Sequence, residues 1–368
     1  MGVFLRQDTS VPIEQAQASI PGPIDGDAAW RGEDLARQPA RWIYRLTEGD
    51  IGAIDRAIAA VRASGISLDR ISPATFPLPG LRATLDAMLD RQLLNGVGFC
   101  LMQGLPVERY GIEEAAIAFL GVGSHFGSFR SQNAKGHLLG HVRDLGLDVR
   151  NANVRYYQTT RQLEYHTDSC DIVGLLCLKS AKEGGHSRLV SSVTLFNEVL
   201  RRRPDLLPEL FHAFPTDRRG EVPPGMKPWF DIPVFNWHAG QLTTIYVGQY
   251  IRSAQDNYPE ARRLTPKEWE ALELLDSLTN DPALNLQMTM SPGDMQFVHN
   301  HQVLHSRTDF EDWPEPERKR HLLRLWIAPP SARPLPDCFA PRYGSVTPGE
   351  RGGIVTAETT LKFVLEPE

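Results

Sequence analysis

Cysteine is scarce in this chain, and what there is shows no pairing pattern. The 368 residues hold four, Cys100, Cys170, Cys177 and Cys338. Neither a C-x-x-C step nor zinc-type spacing occurs among them, so a disulfide framework and a zinc finger are both excluded. Reduced thiols in a cytoplasmic protein are the expectation. Long apolar runs are missing too: no stretch of ~18 apolar residues is available to cross a bilayer. The first ten residues, MGVFLRQDTS, lack the apolar core of a secretory signal. Positive charge is not in excess. The net charge is -6 and the pI about 6.0, which leaves nothing to attract nucleic acid or an anionic membrane. No G-x-G-x-x-G follows a strand pattern, and no Walker A sequence or G-x-S-x-G elbow is present, so dinucleotide, P-loop and serine-hydrolase chemistry lose their support. No internal repeat or low-complexity tract divides the chain.

What is present is a change of period along the sequence. Residues 1–45, rich in Pro, Gly and Asp, read as an N-terminal arm lying over a single domain of 46–368. Thr47 and Asp50 open a helix in which Ile51, Ile54, Ile58 and Val61 recur at helical spacing before Gly65 ends it. Further helices are expected at 80–94 and 112–121, with a strand at 98–102 between them. From about 150 the period becomes that of strands: 153–160, 171–178, 284–291, a strand starting at 295, and 320–327. Helices at 192–202 and 266–279 interrupt them. Many short strands with long insertions predict an α+β chain built on a double-sheet jelly roll. The insertion at about 203–265 is placed to serve as a lid over the barrel mouth.

Within the strand region, YHTDSC (165–170) holds His166 and Asp168 two residues apart. On a regular strand such residues point the same way with Cα atoms roughly 6.6 Å apart, close enough to share an ion. Glu164 would share that face and competes for the carboxylate role. A third ligand has to come from a distant strand, and FVHNHQVLHSR offers His299, His301 and His305. Two histidines and one carboxylate with open positions suit non-haem Fe(II). A second pattern lies in RHLLRLWI, where Arg320, Leu322, Arg324 and Trp326 fall on one face and His321, Leu323, Leu325 and Ile327 on the other. Two guanidinium groups turned toward a barrel interior either pair with acidic side chains, reach solvent at the rim, or meet a ligand carboxylate, which fits their planar fork.

H-T-D (166–168), E-G-G-H-S (183–187), P-G-D (292–294), N-x-x-V-L-H-S-R-T (300–308) and R-x-L-x-R-x-W (320–326) follow in that order. The set resembles the TauD/TfdA family of Fe(II)- and 2-oxoglutarate-dependent dioxygenases over roughly residues 95–330. The resemblance implies a double-stranded β-helix core, with His166, Asp168 and His305 as iron ligands. It also implies that Arg320 holds the distal carboxylate of 2-oxoglutarate with help from the Ser187 hydroxyl, and that Arg324 lies on the substrate side. Ser306 stands where the family usually has Gly. His299 and His301 then become residues outside the ligand set or on the surface, and Arg307 is expected in a structural ion pair. Asp168 argues against a halogenase, which needs a small residue there. The implied reaction consumes 2-oxoglutarate and O2, releases succinate and CO2, and oxidises an unactivated C–H bond of a small substrate, anionic or amino-acid-like if Arg324 faces it. Hydroxylation leads, with desaturation or ring closure open. The rivals are a cupin-like metalloenzyme that does not use 2-oxoglutarate and a non-catalytic binding protein on the same fold. A homo-oligomer stays open as well.

Overall fold

The structure, a computed structural model, describes residues 20–147 and 156–367. Its centre is a pair of facing sheets. The larger runs Ile43–Arg45, Phe99–Gln103, Met295–His299, Ile172–Lys179, His321–Ala328 and Ser128–Phe129 in spatial order, and Leu139–Val142 also pairs with His321–Ala328. The smaller runs Leu286–Met288, Ser187–Ser191, Val303–Arg307 and Leu163–His166, antiparallel throughout. Neighbours in both sheets come from distant parts of the sequence, the crossing pattern of a jelly roll.

Side-chain alternation sorts the apolar residues into layers. Ile172, Leu176, Met295, Phe297, Leu323, Leu325 and Ile327 leave the larger sheet on one side. They pack on the helices Glu48–Ser64 and Ile112–Ser124. On the other side Val173, Val298 and Trp326 meet Leu189, Leu286, Met288 and Val303 of the smaller sheet and fill the space between the two. Val190 and Leu304 turn outward from the smaller sheet, against the helices Ser192–Arg202 and Pro266–Thr279. Each such side chain, wholly removed from water, contributes about 1.5–3 kcal/mol, so this layering holds the scaffold rigid around the barrel mouth.

Helix ends follow local chemistry. Thr47 Oγ1 accepts the Asp50 N–H, the Asp50 carboxylate accepts the Thr47 N–H, and Gly65 leaves the helix at φ 65°. Thr265 and Glu268 repeat the box at Pro266–Thr279. The region 80–94 is not one α-helix: Arg82–Ala87 is α-helical, and Met88–Leu94 widens so that the Asn95 N–H reaches the Asp90 carbonyl. The strand expected at 153–160 does not form where it can be seen. Residues 153–155 lie outside the described residues, and Tyr156–Gln158 is a single 3-10 turn. Over 284–291 the alternation is real, with Leu284, Leu286, Met288 and Met290 buried, but the ladder covers only Leu286–Met288.

The described part of the N-terminal segment is bound into the fold. Trp30 donates through Nε1 to the Val97 carbonyl, and Ile43–Arg45 pairs in parallel with Leu101–Gln103 at the edge of the larger sheet. The 203–265 region holds two hairpins, Ala213–Asp217 with Trp229–Pro233 and Phe235–His238 with Gln241–Thr244, followed by the helix Gly248–Asn257.

Candidate metal centre

The site begins with a register. In the smaller sheet His305 lies directly opposite His166, and their rings sit 4.2 Å apart between centroids. The strand Leu163–His166 ends at His166, so Asp168 is not on a regular strand as the H-x-D spacing suggested. Two bonds turn the chain there instead. The Thr167 N–H reaches the Tyr246 carbonyl at 2.8 Å, and the Asp168 N–H reaches the Asn300 side-chain carbonyl at 3.0 Å. The carboxylate is thereby brought to both rings, with Oδ1 3.8 Å from His166 Nε2 and Oδ2 3.7 Å from His305 Nε2. One donor atom from each of the three residues lies within 4.8 Å of the others.

The protonation states suit a cation. His166 Nδ1 donates to the Glu164 carbonyl at 2.8 Å, which directs the Nε2 lone pair into the site. Burial, with His166 and Arg324 adding to it, pushes His305 down to about 3 and keeps the ring neutral. Burial pushes the Asp168 carboxyl up, but Arg324, His305, His166 and the Trp326 indole together outweigh it and hold the carboxyl below its ordinary value. Trp326 Nε1 donates to Asp168 Oδ2 at 3.0 Å. Two imidazoles and an ionised carboxylate, with no thiolate among them, are a donor set for Fe(II) with positions left open, not for a closed zinc site.

The second part of the site stands at the start of the strand His321–Ala328. Arg320 is buried, its guanidinium 5.2 Å from the centre of the Phe310 ring, and its Nη1 has no hydrogen-bond partner. Burial lowers its pKa to about 10. A guanidinium left in this state is costly unless an anion joins it, and a carboxylate from a bound molecule is the group that fits. The motif glycines make the room. Gly185 stands at φ 68°, and a Cβ there would lie 3.0 Å from Arg320 Nε. Ser187, two residues on, points between the sheets and donates to Gln296 Oε1 at 3.1 Å.

Arg324 lies closer to the histidines. Its Nε donates to Gln132 Oε1 at 2.7 Å, and its Nη1 stands 3.9 Å from Asp168 Oδ2. It lines a cavity of about 770 Å³ together with His166, Asp168, Trp326, and Phe230 and Ile232 of the 203–265 region. Substrate-sized ligands occupy clefts of this order.

Other expected residues fall elsewhere. Glu164 is exposed and serves through its carbonyl. His299 and His301 are not surface residues, because both are fully buried. His301 Nε2 pairs with Asp171 Oδ1 at 3.0 Å, away from the ligand set. Arg307 makes no structural ion pair among the described residues. Its guanidinium donates to the Arg161 and Thr308 carbonyls and lies 4.7 Å from the Phe310 ring centre. Asn300 and Trp326 were quoted in the motifs without a role, and only the fold shows that both grip Asp168. A second grouping, Glu209, His212 and Glu268, is a capped helix start, since Arg262 and the Thr265 N–H occupy the Glu268 oxygens.

With this geometry in place, comparisons with known proteins are specific. The family model described as "Taurine catabolism dioxygenase TauD, TfdA family" matches residues 65–326. FR-33289 synthase of Streptomyces rubellomurinus is 30% identical over 325 residues, covering 85% of this chain and 93% of that protein. The taurine hydroxylase-like protein SAT17 of Stachybotrys chartarum is 29% identical, with 84% and 83% covered. Among solved structures, asparagine oxygenase in complex with Fe(II), 3-hydroxyasparagine and succinate superposes with a TM-score of 0.60 at 18% identity. That match covers 78% of this chain and 93% of the other. The non-haem iron oxygenase OrfP, with iron, succinate and 3-hydroxyarginine, gives 0.58 at 13% identity, covering 77% and 94%. These structures share the fold.

Proposed function

Because the chain belongs to the TauD/TfdA family of dioxygenases, which act with Fe(II), 2-oxoglutarate and O2, we propose that it hydroxylates an unactivated C–H bond of a small anionic or amino-acid-like substrate. In this reading His166, Asp168 and His305 hold the iron, Arg320 and Ser187 hold 2-oxoglutarate, and Arg324 faces the substrate. The observation that carries it is the conjunction of the two halves of the site. A His–Asp–His set borders a large cavity through His166 and Asp168, and a buried Arg320 has an Nη1 without a hydrogen-bond partner.

Each residue then has a physical task. The Glu164 carbonyl fixes the His166 tautomer, and the His305 strand register sets the spacing of the two rings. Trp326 and Arg324 orient the Asp168 carboxylate and keep it ionised. The Arg320 fork takes the distal carboxylate of 2-oxoglutarate, and the Ser187 hydroxyl can turn from Gln296 to add one bond. The apolar wall between the sheets excludes water from this pocket. What the metal supplies is the oxidative chemistry, in which one oxygen atom of O2 ends in succinate and the other in the product. No side chain is needed as general acid or base.

The decisive experiment is a succinate-release screen over amino acids, small carboxylates and sulfonates, with mass analysis of products. Substrate-dependent succinate and a product one oxygen heavier are expected. Loss of two hydrogens instead would mean desaturation or ring closure, and no succinate with any compound would count against the proposal. Of the structurally similar oxygenases, one is an asparagine oxygenase and OrfP holds 3-hydroxyarginine, which puts amino acids first in the screen.

A further inference from the structure

We propose that Arg342, from the C-terminal segment beyond the matched family region, is a specificity-determining residue that with Arg324 grips an oxyanion head group on the substrate. This rests on the cavity beside the His–Asp–His set being the substrate site.

The first support is position. Arg342 lines the same cavity as Arg324, His166 and Asp168. Its Nε donates to Ser169 Oγ at 2.7 Å, one residue from the carboxylate of the candidate iron site. The second is charge. Among the described residues no carboxylate lies within ion-pairing distance of its guanidinium, which lies 5.5 Å from the centre of the Phe230 ring, and the like-charged Arg218 lies 5.1 Å from the same ring. Arg324 has a single nearby carboxylate, Asp168, and a bound metal would take that charge for itself. Arg342 therefore lines the cavity without a carboxylate partner among the described residues, and Arg324 has only Asp168. A ligand oxyanion would supply the missing partner.

The third support is how firmly the segment is built in. Arg218 donates to the Pro341 carbonyl at 2.7 Å, and the Tyr343 hydroxyl donates to the Asp168 carbonyl at 3.4 Å. The Gly353 N–H bonds the Ser169 carbonyl at 2.8 Å. Arg351, fully buried, pairs with Asp171 at 2.6 Å. The chain is therefore tied to Arg218 just before Arg342 and to the 168–171 turn after it. A guanidinium held rigid in advance loses little freedom on binding an anion. Two forks with Asp168 as their one nearby acid favour a doubly charged head over a singly charged one.

The test titrates acetate, methanesulfonate and methylphosphonate into the full-length protein under nitrogen, metal-free and loaded with Fe(II) and 2-oxoglutarate. Binding is read by calorimetry. Wild type should bind methylphosphonate tightest, and Arg342→Met should weaken it roughly tenfold or more. Arg342→Lys, which keeps the charge but not the fork, should fall between them. The visible Fe(II)–2-oxoglutarate band should be the same in all three, which separates anion recognition from general damage. Equal affinities in wild type and Arg342→Met, or no anion binding by wild type, would overturn the proposal. Absence of the visible band from wild type would instead count against the iron and 2-oxoglutarate assignments, while the metal-free titration still reads the anion site.

Discussion

Arg320 and Asp168 show how differently single buried charges can be treated in one site. Asp168 is surrounded by Arg324, two imidazoles and an indole N–H, so its charge is supported in the free protein. Arg320 is buried with an unpartnered Nη1. Such a group lowers the stability of the empty protein and raises the affinity for an anionic ligand at the same time. Arg320→Met should therefore move two measurements in opposite directions. Thermal unfolding of the ligand-free protein should shift upward or stay level. The dissociation constant for 2-oxoglutarate, read from the Fe(II)–2-oxoglutarate band, should rise roughly 30-fold or more, as loss of a charge-assisted pair predicts. A fall in stability with unchanged 2-oxoglutarate binding would remove Arg320 from the pocket.

Among the elements, the turn preceding Ser187–Ser191 stands closest to Arg320, in the pocket proposed for the co-substrate. Gly184 and Gly185 both take positive φ, at 75° and 68°, and they let the Asp309 carbonyl and the Arg320 side chain come close. Gly185→Ala places a Cβ 3.0 Å from Arg320 Nε on a left-handed backbone. The strain costs about 1–2 kcal/mol, and the guanidinium has to move. Weaker 2-oxoglutarate binding is expected with iron affinity unchanged, checked by titrating each separately. Equal loss of both would mean that the turn supports the whole barrel. The strand Val303–Arg307 carries the same lesson. Its register against Leu163–His166 and Ser187–Ser191 sets His305 across from His166, and slipping by one residue would turn His305 away from the site.

For the molecule as a whole, the C-terminal segment closes over the end of the sheets through the buried Asp171–Arg351 pair, to which His301 adds a third partner. Arg351 has no measurable exposure. Removing one member of such a pair leaves the other buried and uncompensated, a loss of about 3–5 kcal/mol. Arg351→Met should show that loss in denaturant unfolding, and the Asp171→Asn/Arg351→Met double variant should recover part of it. If the double variant loses as much as the sum of the two single ones, the pair is not the fastening it appears from its geometry.

The sequence alone determined the layer pattern and the candidate ligand residues. Alternation over 320–327 and 284–290, the helix caps at Thr47 and Thr265, and the ordered H-T-D, E-G-G-H-S and R-x-L-x-R-x-W motifs are local, because periodicity, capping and motif spacing are properties of neighbouring residues. The tertiary structure decided what depends on distant partners. Asp168 reaches the site by way of Asn300 and Tyr246 and not by strand geometry, His299 and His301 are buried among C-terminal residues, and Arg307 spends its donors on carbonyls. Arg342 carries no motif. Its place beside Ser169 arises from a chain closure across 173 residues, which no local pattern encodes.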